Sequence, residues 1–93
     1  MMKKSVWLQI VEFAAEKGNA LAQRVLGDMY IEGTEIEKDE QKAFFWYQKS
    51  AAQGDKSGML ALGMCYAYGM GVEQSPQDAR LWTGRACKIE EDK

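Results

Sequence analysis

Cys65 and Cys87 are the only thiols of this chain, and no histidine stands anywhere to activate either one. A cysteine or serine nucleophile needs a general base beside it, so the inventory opposes both Cys–His and Ser–His catalysis. The densest group of acids is Glu35, Glu37, Asp39 and Glu40. Paired carboxylates serve acid–base hydrolysis, and alternating oxygens hold calcium, but this cluster lacks the alternate ligands and the glycine of a calcium loop. It reads as a solvated acidic loop. Gly69-Met70-Gly71 looks superficially like part of a phosphate loop, yet no strand precedes it and no Gly-Lys-Ser/Thr follows it. The residues therefore predict no enzyme, no metal and no cofactor. Binding is the expected activity.

Charge narrows what is bound. Twelve basic and 14 acidic residues leave a net charge of −2, which opposes a nucleic-acid surface because that needs a basic field. The opening MMKK followed by VWLQIV mimics a signal peptide, but Gln9 and Glu12 break the apolar run. No segment approaches the ~18 consecutive apolar residues of a membrane span. A cytoplasmic protein without membrane contact is expected. Cysteine usage agrees with that expectation. If residues 57–69 and 76–88 form an antiparallel hairpin, Cys65 sits level with residue 80. Cys87 then lies ~10 Å further along, beyond the ~7 Å between Cα atoms that a disulfide allows. Two buried free thiols are expected.

The elements that position these residues are announced by a repeat. Leu26, Gly27, Tyr30, Gly33, Glu37, Gln41, Ala43 and Trp46 recur 36 residues later as Leu62, Gly63, Tyr66, Gly69, Glu73, Gln77, Ala79 and Trp82. A fixed period of this size marks a stacked helical array whose units bury their apolar faces against neighbours. Gly18-Asn19 and Gly54-Asp55 punctuate it at the same offset. Helices are predicted over 20–32, 40–53, 56–68 and 76–88, with Asp39 and Ser75 as caps and Pro76 in the first turn. Residues 5–17 match a second helix whose first helix is missing. The expected organisation is a single domain over 1–93: a half-repeat helix (5–18), repeat one (19–54), repeat two (55–88) and a frayed tail (89–93). The fold class is all-α, a helix-hairpin solenoid of about five helices.

Written as Leu-Gly-x-x-Tyr-x-x-Gly, a loop, Lys/Asp-Ala-x-x-Trp and a closing Ala-Ala-x-x-Gly, the pattern resembles the Sel-one-like repeat (SLR) family. That family is related to the tetratricopeptide repeats. The strongest matches run from Leu62 to Val72 and from Lys42 to Gly54. The resemblance implies right-handed stacking of helix hairpins and a scaffold or adaptor role in protein–protein interaction. Physical roles fit the motif positions. Gly27 and Gly63 permit close helix approach, and Gly33 and Gly69 suit a left-handed helix end. Trp46 and Trp82 are expected as buried fillers facing the small Ala43 and Ala79. Three departures stand out. Glu35 replaces the loop's second glycine (Gly71 in the second unit), so the first loop should turn differently. Thr83-Gly84 replaces the usual aromatic-polar pair in the last helix, where a mid-helix glycine costs ~1 kcal/mol, and the outer face of that helix is expected to lie uncovered.

By analogy with related arrays, the first helices line a concave face. One stripe of it holds Leu21, Arg24, Asp28, Ile31 and Glu32 beside Ser57, Leu60, Met64, Ala67 and Tyr68. The partner-binding residues expected there are Leu60, Met64 and Tyr68 as apolar anchors, with Arg24, Asp28 and Glu32 setting orientation. The expected partner is a protein or peptide. The rival readings are a self-assembling protein, pairing through Leu81, Arg85 and Ile89 or through the apolar half of the stripe, and a small immunity or regulatory protein blocking one cognate effector.

Overall fold

The computed structural model describes residues 3–91, with side chains as far as Lys88. Among these residues there are five helices and no strand: α1 (Val6–Glu16), α2 (Ala20–Glu32), α3 (Glu40–Ala52), α4 (Lys56–Tyr68) and α5 (Pro76–Glu91). Each helix packs on the next in sequence, and α2 also touches α4, whereas α1, α3 and α5 keep apart. The inner helices therefore form one continuous face and the outer helices splay. Cα extents of 44 × 29 × 15 Å describe a slab rather than a ball.

Local chemistry sets the helix starts. Asn19, Asp39 and Asp55 each accept the backbone N–H three residues on, at 2.8, 3.1 and 2.8 Å. Ser75 does the same for Asp78 and donates its own hydroxyl to the Asp78 carboxylate at 3.0 Å, a reciprocal cap. Gly33 and Gly69 end α2 and α4 with φ of 67° and 69°, as a left-handed terminus requires. The two inner-to-outer loops close alike, with Asp39 N–H on Tyr30 O at 3.0 Å and Ser75 N–H on Tyr66 O at 2.8 Å. They differ where expected: Gly71 takes φ of 73°, and Glu35 has no positive φ. The last helix extends three residues past the expected end, to Glu91, and the rest of the expected tail lies outside the described residues.

Two apolar clusters share Tyr30 at their boundary. The first gathers Leu8, Val11, Ala15, Leu26 and Met29, and the second Ala43, Tyr47, Met59, Leu62, Cys65 and Ala86. Met29 and Met59 are buried core residues. Gly27 and Gly63 do permit close approach. A methyl group on Gly27 would stand 2.5 Å from the Tyr47 ring, and one on Gly63 would stand 2.8 Å from Thr83 Cγ2.

The packing corrects two expectations. Trp46 and Trp82 are only half-buried, and the fully enclosed aromatic is Tyr47, 4% exposed. Adjacent positions on a helix differ by about 100°, so both lie on the apolar arc. The glycine on α2 decides which of the two is central. Cys65 and Cys87 are both free, but only Cys65 is buried. Cys87 lies on α5, which among the described residues packs on α4 alone, and its side chain stands on the exposed side.

Candidate partner-binding surface

The stripe expected on the first helices sits on the only inner helix pair in direct contact among the described residues, α2 and α4. The 36-residue offset pairs Arg24 with Leu60, Asp28 with Met64 and Glu32 with Tyr68 at equivalent positions of these neighbouring helices. Tyr68 is 71% exposed and Met64 51% exposed. Leu60 is half-buried and leans on the second core cluster, together with Ile31 from α2. Tyr68 and Met64 thus leave aromatic and thioether surface in water.

The charged half is less free than its residue types imply. Arg24 donates from Nη1 to Asp28 Oδ2 at 2.5 Å, a spacing one helical turn provides. The other carboxylate oxygen, Oδ1, accepts the Tyr47 hydroxyl from α3 at 2.5 Å. Burial, and then the Asp28 carboxylate that its proton bridges, push the Tyr47 hydroxyl well above the ordinary tyrosine range. Tyr47 is thus a permanent donor. Asp28 anchors α2 to α3 as well as facing the stripe, and Arg24 Nε is a buried donor with no acceptor. Glu32, the last residue of α2, is exposed.

Sequence reasoning missed the tie of Tyr47 to Asp28. A tyrosine 20 residues after a glycine and 19 after an acid carries no local signal. It also passed over an outer-helix aromatic, Phe45, 48% exposed with the Lys49 ammonium 5.2 Å from its ring centroid. At the N-terminal end Val6, Trp7, Ile10 and Phe13 are all more than half exposed, beside Leu21 at 58%. Among the described residues no group of three or more His, Cys, Asp or Glu side chains could hold a metal ion. Nor is any helix among them long and apolar enough to cross a membrane.

Comparison with known proteins places this geometry. The chain is 39% identical over 64 residues to the ERAD-associated E3 ubiquitin-protein ligase component HRD3A of Arabidopsis thaliana, covering 68% of this chain and 9% of that protein. It is 34% identical over 80 residues to the chitin synthase regulator SKT5 of Saccharomyces cerevisiae, covering 84% of this chain and 12% of that one. The chain thus spans about a tenth of the length of these curated relatives. Among solved structures, Helicobacter pylori cysteine rich protein B superposes with a TM-score of 0.87 at 31% identity, over 95% of this chain and 66% of that chain. A Sel1 repeat protein from Oxalobacter formigenes superposes with a TM-score of 0.81 at 35% identity, over 85% of this chain and 23% of that one. A family model for the Sel1 repeat matches residues 20–55 and 56–89, the same two hairpins that the caps and glycines delimit, and the chain belongs to the Sel1 repeat family.

Proposed function

We propose that this chain is a non-catalytic protein-binding module whose concave α2/α4 stripe receives a protein or peptide partner. The observation that carries this reading is the exposure of Tyr68 and Met64 on the inner helix pair, next to the Arg24–Asp28 ion pair. Large side chains of this kind give most of an interface its energy when a partner dehydrates them. Arg24, held in place by Asp28, and Glu32, exposed at the helix end, then orient the partner and tune its on-rate. The names of relatives, a ligase component and a regulator, fit an adaptor. The absence of histidine argues for no chemistry of its own. Two free thiols suit a reducing, cytoplasmic setting.

Capture of partners from native lysate on the immobilised chain, read by mass spectrometry, identifies the ligand. The same partner should be lost on a Leu60, Met64 and Tyr68 triple alanine variant that keeps its helical circular dichroism. Equal capture by that variant would move the site elsewhere. Self-assembly is the second reading, favoured by Leu81 at 47% exposure on the outermost helix. Light scattering at rising concentration separates the two. Ile89, expected on the same face, lies outside the described side chains.

A further inference from the structure

Because α3 and α5 keep apart, a cleft of about 400 Å³ opens between them over the start of α4. Its apolar surface comes from Ala51 and Ala52 of α3, Met59 of α4 and Trp82 of α5, and its charges from Arg85 and Lys88. No acid stands in this lining, although the chain as a whole carries a net charge of −2. The Arg85 guanidinium lies 4.7 Å from the Trp82 ring centroid, held against an aromatic face one turn away.

The preceding unit, at an offset of 36 residues, separates what stacking needs from what it does not. There Met59 is matched by Gln23, whose amide donates to Ala15 O at 3.1 Å and accepts from Gln53 at 2.8 Å. In the second unit the matching residues are Met59 and Ile89, and neither carries an amide to make that bridge. Ala52 stands where the first unit has an acid, Glu16, and Lys88 stands where it has Ala52. One acid and one base, Glu16 and Lys49, are thus exchanged for two bases, Arg85 and Lys88. The opening does not depend on what stacks next. Glu16, Gly18, Lys49 and Ala52 stay exposed in the first unit although α4 follows α3, so a hairpin stacked on α5 would leave the matching positions open.

We propose that this α3/α4/α5 cleft binds a small organic acid, with its apolar body on Met59 and Trp82 and its carboxylate on Arg85 and Lys88. Sites for small ligands are clefts of a few hundred Å³, mostly apolar, with a few polar groups that fix orientation. The cleft has that size and that balance. A guanidinium presents its N–H groups as a planar fork, which donates to both oxygens of a carboxylate at once. Stacking on Trp82 holds the plane of the fork, so little freedom is lost when the acid arrives. The Lys88 ammonium, one turn further along α5, adds a second positive charge. A neutral compound of the same shape keeps the apolar contact and loses both charged ones. No residue of this cleft belongs to the concave stripe, so the two sites are separate.

Titration of the full chain with phenylbutyrate, followed in proton–nitrogen NMR correlation spectra, tests the site. The Trp82 indole N–H signal, assigned by its loss in Trp82→Phe, should shift saturably. A Kd of about 1 mM or tighter is expected from roughly a dozen well-placed heavy atoms. The neutral phenylbutyramide should bind at least about tenfold more weakly, because it cannot engage the fork as an anion. Arg85→Gln should weaken the acid by about the same factor, and Arg85→Lys by less. Ala52→Glu restores the acid of the first unit at an exposed position and should abolish binding, whereas Ala52→Gln should not. The proposal is overturned by the absence of a saturable shift at Trp82 or by equal binding of acid and amide. Indifference to Arg85→Gln, or shifts confined to the α2/α4 stripe, would overturn it as well. Every variant leaves Leu60, Met64 and Tyr68 in place, so capture of a protein partner on the stripe is a separate result.

Discussion

The Tyr47 hydroxyl donates to Asp28 Oδ1 at 2.5 Å while the Tyr47 ring lies flush on Gly27, the residue just before that aspartate. One side chain thus joins α3 to α2 twice, by a hydrogen bond to a charged group and by a contact that only glycine admits. Hydrogen bonds to charged groups contribute about 1.5–3 kcal/mol. Tyr47→Phe keeps the ring and should lower stability by about that amount in urea melts. An unchanged midpoint would mean that water replaces the hydroxyl at Asp28.

Gly27→Ala should destabilise by about 1–3 kcal/mol, because the added methyl drives into the Tyr47 ring. The opposite sign is expected from helix propensity alone, where alanine gains about 1 kcal/mol over glycine. In a Tyr47→Val background the ring is gone and Gly27→Ala should become neutral or stabilising. Additive effects in that double-mutant cycle would contradict the close approach.

Gly71 and Gly54 provide a second pairing. Both have positive φ, 73° and 82°, but a methyl on Gly71 would meet the Glu40 carbonyl oxygen at the start of α3, while one on Gly54 meets nothing within 4 Å. A left-handed alanine costs about 1–2 kcal/mol by itself. Gly54→Ala should cost only that, and Gly71→Ala clearly more. Thermal melts giving equal losses would show that the loop moves off α3 freely.

The two cysteines should react at different rates. Cys87 is exposed and should be modified by a disulfide reagent within the mixing time, whereas buried Cys65 should react only as the fold opens. Burial, and then the Glu40 carboxylate, push the Cys65 thiol from 9.0 up to about 11. Between those two values the folded chain holds a proton that the unfolded chain has lost, so stability falls as pH rises, by about 1.4 kcal/mol per unit. Tyr47 acts in the same direction from its ordinary value of 10.0 upward. Urea midpoints measured from pH 8 to 10 should therefore decline, and Cys65→Ala should flatten the decline between pH 9 and 10. An identical slope in that variant would remove Cys65 as its source.

Tyr68→Ala should change the melting temperature little, because 71% of the residue is already in water and surface substitutions usually stay within about 0.5 kcal/mol. Trp46→Ala, half-buried against the first core cluster, should cost more than Tyr68→Ala but less than the ~3–5 kcal/mol of a fully enclosed tryptophan. Unfolding by Tyr68→Ala would return that residue to the core and dissolve the proposed stripe.

What the sequence alone determined is what depends on neighbours along the chain. The glycine–cap pairs Gly18-Asn19 and Gly54-Asp55, the Ser75-Pro76 start and the left-handed Gly33 and Gly69 are satisfied within one turn of backbone, so α2 and α4 are legible to the residue. The repeat then dictated stacking, because a hairpin with an apolar face can bury it only against another hairpin. Tertiary structure decided everything that depends on which neighbour is present. Trp46 and Tyr47 are equally apolar on paper, and the close approach of Gly27 encloses the second. Asp28 reads as a free surface charge until α3 brings a hydroxyl to it. Trp7 and Ala43 occupy equivalent positions of the repeat, yet one is more than half exposed and the other fully buried, because a periodic sequence specifies the same face everywhere while, among the described residues, α3 packs between α2 and α4 and α1 packs on α2 alone.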